Sequence, residues 1–209
     1  MGERRLRLAV LLSGSGSTLE NLFVQREAGR LPADVVCVLS SRADAYGLER
    51  ARRRNAPTAV VVRKRFPDVE SFSREVFSFL RAHSPDLVCL AGFMVLLRVP
   101  PDFAGRVMNI HPALLPGFGG RGLYGHLVHE AVLKAGCKVS GCTVHFVDDE
   151  YDHGPIILQR AVEVLEDDTP DSLAERVQAA EREAYPEAIR LFAAGRLRIE
   201  GRRVRVLGR

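Results

Sequence analysis

At 209 residues and 46% apolar, with charge of both signs, the chain has enough material for one large core, and its composition excludes intrinsic disorder. A net charge of +4 and a pI near 9.1 favour anionic small-molecule partners. The excess is mostly arginine at the two ends, with no lysine run and no bases interleaved with aromatics, so no nucleic-acid face is built. The longest apolar run, Leu87 to Leu97, is too short to span a bilayer, and the amino terminus enters a strand with no cleavable signal pattern. Cys37, Cys89, Cys137 and Cys142 show no C-x-x-C spacing and read as thiols in a reducing, cytoplasmic compartment.

Leu6 to Leu12 is a continuous apolar run ending in Ser13-Gly14-Ser15-Gly16-Ser17-Thr18, and Leu19, Leu22 and Phe23 follow with helical spacing. This is a strand, a tight glycine turn and a helix start, whose first amides have no intrahelical partner and point at whatever fills the turn. Ser17 or Thr18 is the expected N-cap. Position 19 is leucine where a dinucleotide fingerprint needs its third glycine, and no acid ends the second strand. Arg42 is the one base placed to meet a 2′-phosphate; a monophosphate fits the turn better than NADP.

Val35 to Leu39 reads as the second strand and Asp44 to Asn55 as a helix with an arginine-rich outer face. Thr58 to Val62 is a strand, and Val69 to Ala82 a helix with Phe72, Val76, Phe79 and Leu80 inward. Asp86 to Ala91 is a strand running into Gly92-Phe93-Met94. Short apolar strands alternating with amphipathic helices give an α/β fold: a doubly wound, mostly parallel open sheet, Rossmann-like, with ligands beyond the carboxyl ends of the strands.

Val107 to Ile110 is another strand, stopped by Pro112. Alternation sends Asn109 and His111 to one side and Ile110 to the core. That sets a donor–acceptor amide beside an imidazole that titrates near neutrality. The glycine-rich run from Pro116 to Gly122 has the composition of a substrate-covering loop.

His126 to Ala135 reads as a helix. His126 and His129 are i, i+3 neighbours, but no third ligand stands at motif spacing, so no metal is expected. Val139 to Val147 alternates as a long strand with two differing faces. Asp148-Asp149-Glu150-Tyr151-Asp152-His153 is either a solvated turn or the source of a buried carboxylate to partner a histidine. Ile156 to Val164 is a strand, and Asp171 to Phe192 a long helix opened by Thr169 as cap and Pro170 at its first position. Leu197 to Ile199 and Val204 to Val206 form a small C-terminal hairpin.

Six segments taken together resemble a known family: S-G-S-G-S-T at 13–18, A-D-A-Y-G-L-E-R-A at 43–51, L-A-G-F-M at 90–94, M-N-I-H-P-A-L-L-P at 108–116, S-G-C-T-V-H-F-V-D-D-E-Y-D-H-G-P-I-I at 140–157 and V-Q-A-A-E-R-E-A-Y-P at 177–186. They are similar to those of the phosphoribosylglycinamide formyltransferases, folate-dependent enzymes of purine synthesis. The resemblance implies one formyltransferase domain over 1–209, with 1–105 as a phosphate-binding half and 106–209 as a catalytic and folate-binding half. It implies Asn109, His111 and Asp152 as the catalytic set, and Gly16, Ser17, Thr18, Gln178 and Glu181 as contacts to phosphoribosylglycinamide. The folate pocket would be lined by Met94, Val95, Leu96, Leu97, Asn109, Asp148, Asp149 and Asp152. Members often carry arginine where Val69 and Val95 stand, and Lys64, Arg65 or Arg98 would have to substitute.

The implied co-substrate is 10-formyltetrahydrofolate. The implied assembly is a monomer or homodimer with neither nucleic-acid nor membrane partner. Asn109 and a protonated His111 would stabilise the oxyanion formed when an amine attacks the formyl carbon, an effect typically of about 3–4 kcal/mol per donor. Asp152 is expected to raise the His111 pKa and relay the proton. Two other readings compete. Hydrolysis of the formyl folate characterises the deformylases, which lack the G-S-G-S turn, and a non-catalytic nucleotide- or RNA-binding module would need neither Asn109 nor His111.

Overall fold

The computed structural model describes residues 4–208, an α/β protein of nine strands and five α-helices. Its residues cluster into two compact units, divided between Met108 and Asn109.

The first unit holds β1 (Leu6–Leu12), β2 (Ala33–Ser40), β3 (Thr58–Val60) and β4 (Leu87–Leu90), in the spatial order β3-β2-β1-β4. All of its pairings are parallel. The crossovers are α1 (Ser17–Glu27), α2 (Tyr46–Arg53) and α3 (Val69–His83). Leu8 to Leu12 and Leu87 to Cys89 have no exposed surface, as expected of a sheet covered on both faces. Chain order reverses between β1 and β4, so their carboxyl-end loops flank the switch point where such sheets bind ligands. There the Ser13 amide donates to the Gly92 carbonyl (3.0 Å) and the Met94 amide to the Ser13 hydroxyl (3.1 Å).

Two local expectations are corrected here. The α1 N-cap is Gly16, left-handed at φ 72°, with no side-chain cap, so Ser17 and Thr18 are the first helical residues. Within α3, Phe77 faces the core and Phe79 does not. Phe77 packs on Phe103 while Phe79 lies against His83, because the helix presents the 72-73-76-77-80 stripe inward.

The second unit begins within β5 (Val107–His111) and continues the order β5-β6-β7-β9-β8 with β6 (Val139–Phe146), β7 (Ile156–Glu163), β8 (Leu197–Glu200) and β9 (Arg203–Val206). The pairs β6/β7 and β8/β9 are antiparallel and β7/β9 is parallel, so the parallel pattern of the first unit becomes mixed here. The acidic stretch joining β6 to β7 has no crossover helix, and a short connection permits only antiparallel neighbours. α4 (His126–Lys134) packs on α5 (Pro170–Ala193), which in turn covers β6 and β7. The α5 cap is as expected, with Thr169 and Ser172 forming a reciprocal capping box and Pro170 in the first turn. The alternation of β6 does not divide a wet face from a dry one: every residue from Ser140 to Phe146 is buried, and only Val139 is exposed. No described helix is long and apolar enough to cross a membrane.

Candidate active site

Asn109, Ile110 and His111 are the last three residues of β5. Ile110 is buried in the core, and Asn109 and His111 share the opposite side. The segment that follows is pinned from two strands. The Thr143 hydroxyl donates to the Ala113 carbonyl (2.7 Å) and accepts the Leu115 amide (3.0 Å). Gln159 adds a bond to the Leu115 carbonyl (2.9 Å).

Asp152 closes on this edge from the acidic loop. Its own backbone is left-handed at φ 53°, a conformation aspartate tolerates better than most residues. Gly154, two residues on, lies so close to the end of β6 that a Cβ would stand 1.9 Å from the Phe146 carbonyl oxygen. Asp152 Oδ1 accepts from Asn109 Nδ2 (3.2 Å), and Oδ2 accepts from the Gly120 amide (3.0 Å). His111 Nδ1 lies 3.5 Å from Oδ2. Both expected readings of the acidic loop hold in part: Asp149 and Glu150 are exposed, while the Asp152 side chain is only 11% exposed.

A fourth residue completes the cluster. His145 Nδ1 lies 2.8 Å from the Phe146 carbonyl and must donate to it, which leaves Nε2 as an acceptor for Asn109 Nδ2 at 3.1 Å. Both hydrogens of the Asn109 amide are therefore engaged, one on His145 and one on Asp152. His145 Nε2 is 3.8 Å from Asp152 Oδ1, beyond hydrogen-bond reach. The alternation that puts Thr143 and His145 on one face of β6 was the available signal for His145.

His111 departs from expectation. Burial pulls its imidazole below the ordinary value, against the opposing pull of the Asp152 charge and the Phe118 carbonyl. Its Nε2 donates to that carbonyl at 2.7 Å, so the glycine-rich loop covers the ring. Asp152 shifts the other way from its surroundings. Burial would raise its carboxyl, but the His111 charge and the Gly120 amide hold it below the usual carboxylate range.

In the first unit the phosphate-type turn is backbone against backbone. Gly47, which donates its amide to the Gly14 carbonyl (3.1 Å), packs so near Gly16 that a Cβ on Gly16 would lie 2.6 Å from the Gly47 Cα. Arg50 anchors the turn from α2, donating to the Ser15 carbonyl (3.0 Å) and to Glu20 (3.1 Å). Arg42 is paired with Asp44 on the surface at 3.0 and 2.6 Å. Of the expected folate-lining run, Met94 is exposed, Val95 and Leu96 are half-buried, and Leu97 is a core residue at 2% exposure. Arg98 is drawn to Glu70 (3.3 Å).

On α5, Gln178 is exposed and Glu181 lies one turn further on. Part of Glu181 reaches solvent, yet its carboxyl is surrounded closely enough that burial pushes its pKa up to about 7, against the pull of Arg182. His126 meets Asp171 (3.3 Å), and His129 is buried and lowered in pKa by that burial. Among the described residues, no group of three or more His, Cys, Asp or Glu is placed to hold a metal ion.

Residues 6–189 match the profile of the formyl transferase family. A curated relative, phosphoribosylglycinamide formyltransferase of Haemophilus influenzae, is 37% identical over 196 residues, covering 93% of this chain and 90% of its own length. The chain belongs to the formyl transferase family. A solved formyl transferase, glycinamide ribonucleotide transformylase 1 from Symbiobacterium toebii, superposes with a TM-score of 0.90 at 48% identity, over 99% of this chain and 96% of that one. The trifunctional purine biosynthetic protein adenosine-3 of Bos taurus is 41% identical over 198 residues, and the chain spans 19% of its length. A formyltetrahydrofolate deformylase from Pseudomonas syringae shares the fold at 26% identity and a TM-score of 0.85, with 67% of its length covered.

Proposed function

We propose that the protein transfers the formyl group of 10-formyltetrahydrofolate to the amino group of 5′-phosphoribosylglycinamide, a step of purine synthesis. The observation that carries this reading is the cluster of Asn109, His111, His145 and Asp152, which supplies an amide, two imidazoles and a buried carboxylate at one strand end. Residues 1–209 act as one formyltransferase domain in the cytoplasm, as monomer or homodimer, on small molecules and without nucleic acid or membrane. Residues 1–105 bind phosphate; residues 106–209 bind folate and carry the chemistry.

Gly16, Ser17 and Thr18 hold the substrate phosphate through main-chain amides. The glycine at 16 permits that approach, and no side chain caps those amides. Glu181, poised near neutrality, meets the ribose and glycinamide together with Gln178. Met94 to Leu96 and the Asp148–Asp152 backbone contact the folate, and Leu97 supports that wall from the core.

At the reacting carbon, attack by the amine places negative charge on the formyl oxygen. Asn109 and His111 are the donors for that charge. Both are spent internally in this state, on His145, Asp152 and the Phe118 carbonyl. The Gly117–Gly125 loop must therefore release Nε2 of His111 for it to act. Nε2 of His111 can donate to the formyl oxygen without taking up a further proton, and the developing negative charge offsets the burial that now disfavours the imidazolium. Asp152 starts ionised, takes the proton lost by the attacking amine and so becomes neutral for that step, then returns it through water to the departing folate nitrogen and is ionised again.

The deciding assay follows folate absorbance with and without phosphoribosylglycinamide. Amine-dependent loss of the formyl folate supports transfer. Formate release without the amine would make the protein a hydrolase, and no turnover with salt-sensitive RNA binding would make it a binding module.

A further inference from the structure

The geometry points to Arg202, in the turn of the C-terminal hairpin, as a positioning residue that braces the Asp148–Asp152 loop through His153. This rests on the role assigned to that loop above.

Asp148 and His153 close the two ends of the loop on each other. Asp148 Oδ1 accepts the Glu150 amide (3.0 Å), forming a tight turn, and Oδ2 meets His153 Nδ1 at 2.7 Å. An imidazole that donates from Nδ1 to a carboxylate offers Nε2 as an acceptor. The Arg202 guanidinium fills that role at 2.6 Å, and its second terminal nitrogen donates to the His153 carbonyl at 2.9 Å. One side chain thus grips both the ring and the main chain of the residue next to Asp152.

The hairpin is placed for this by the sheet. β9 joins β7 by pairing Arg203 with Ile156, which brings Arg202 alongside the residues just before β7. Its neighbours Arg198 and Arg205 are both engaged by Glu200 at 2.5 Å. Arg202 is the hairpin base that reaches the loop.

The bonds are surface bonds, with the His153 and Asp148 side chains 46% and 36% exposed, and each alone is weak. Their worth is in convergence. The Asp152 backbone sits in a left-handed conformation, and its two oxygens must reach Asn109 and Gly120 at once. Loosening the adjacent residue blurs that placement and the main-chain surface offered to folate.

The test uses Arg202→Ala, Arg202→Lys, His153→Ala and the double alanine variant in the full chain. The readouts are steady-state kinetics and amide hydrogen exchange over residues 148–154. Arg202→Ala should raise KM for 10-formyltetrahydrofolate about threefold to tenfold, leave KM for the amine substrate unchanged, and speed exchange across the loop. Arg202→Lys keeps the charge but makes one contact in place of two, and should fall between. The double variant should lose less than the sum of the two singles, because they share the ring contact. Unchanged KM with wild-type exchange in Arg202→Ala, or losses that add in the double variant, would overturn the brace. If Arg202→Ala lowers the Tm by disturbing the hairpin, His153→Ala removes the ring half of the link from the loop side, and wild-type KM for the folate with wild-type exchange in that variant would overturn the brace. Exchange reads the brace even if the wild type fails to transfer formyl groups, so failure of the functional reading is seen separately.

Discussion

Acid should destabilise this protein through His111, and the size of the effect follows from its surroundings. The His111 side chain is only 4% exposed, Asp152 is 3.5 Å away, and burial wins, so the folded pKa lies below the unfolded value. A histidine depressed in the folded state contributes its full stability above the unfolded pKa of about 6.5, and loses it as pH falls through that value toward the folded one. The unfolded chain then binds one proton that the folded chain refuses, at about 1.4 kcal/mol per pH unit. Between pH 7.5 and 5.5 the loss has an upper limit of about 1.4 kcal/mol, because only the one pH unit below 6.5 counts in full. His129, also depressed by burial, acts in the same window, so the comparison must isolate His111. Urea unfolding of the wild type and of His111→Asn at pH 7.5, 6.5 and 5.5 does so. The wild type should lose more stability than the variant over that range, by no more than about 1.4 kcal/mol. An equal loss in both, or an NMR titration placing His111 at or above 6.5 in the free protein, would refute the dominance of burial over the Asp152 charge.

Three further outcomes are expected. Asp152→Asn must turn an amide donor toward either Asn109 or the Gly120 amide, leaving one buried donor unmet. It should cost about 1–3 kcal/mol near neutrality by chemical denaturation. That deficit should close as acid protonates the wild-type carboxylate, because a depressed carboxyl contributes above its unfolded pKa and loses that contribution as pH falls through the folded one. Gly16→Ala adds a Cβ 2.6 Å from the Gly47 backbone at a left-handed position and should raise KM for the phosphorylated substrate at least tenfold, whereas Ser17→Ala should change it little. Prolonged chelation should leave activity unchanged, and loss restored by zinc would show that the His126–His129 pair had been misjudged.

Much of this could be read from residue order, and the exceptions have physical causes. The Thr169-Pro170 start of α5 and the facing of Asn109 and His111 were legible because capping and strand alternation are local. The α1 cap was not, since a left-handed glycine against Gly47 replaced the side-chain cap, and that packing joins residues distant in sequence. Phe77 and Phe79 are both aromatic and two apart, so only the helix's rotation chooses between them. His145 carries no motif of its own. It matters because Asn109 needs an acceptor, and the Phe118 carbonyl that covers His111 belongs to the main chain and leaves no mark in residue type. The sign of the His111 shift also lay beyond the sequence, because it turns on how much burial opposes a charge whose presence was expected.

Cys37, Cys89 and Cys142 are buried and Cys137 only partly so, and burial pushes Cys37 and Cys142 up to about 12. At neutral pH those two are almost wholly un-ionised, and thiol reagents attack the thiolate. The strands that enclose them thus act as a timer. A chromogenic thiol reagent should label Cys137 first and the others only as β2, β4 and β6 open, so counting released chromophore against time would report the opening of both units without any introduced probe.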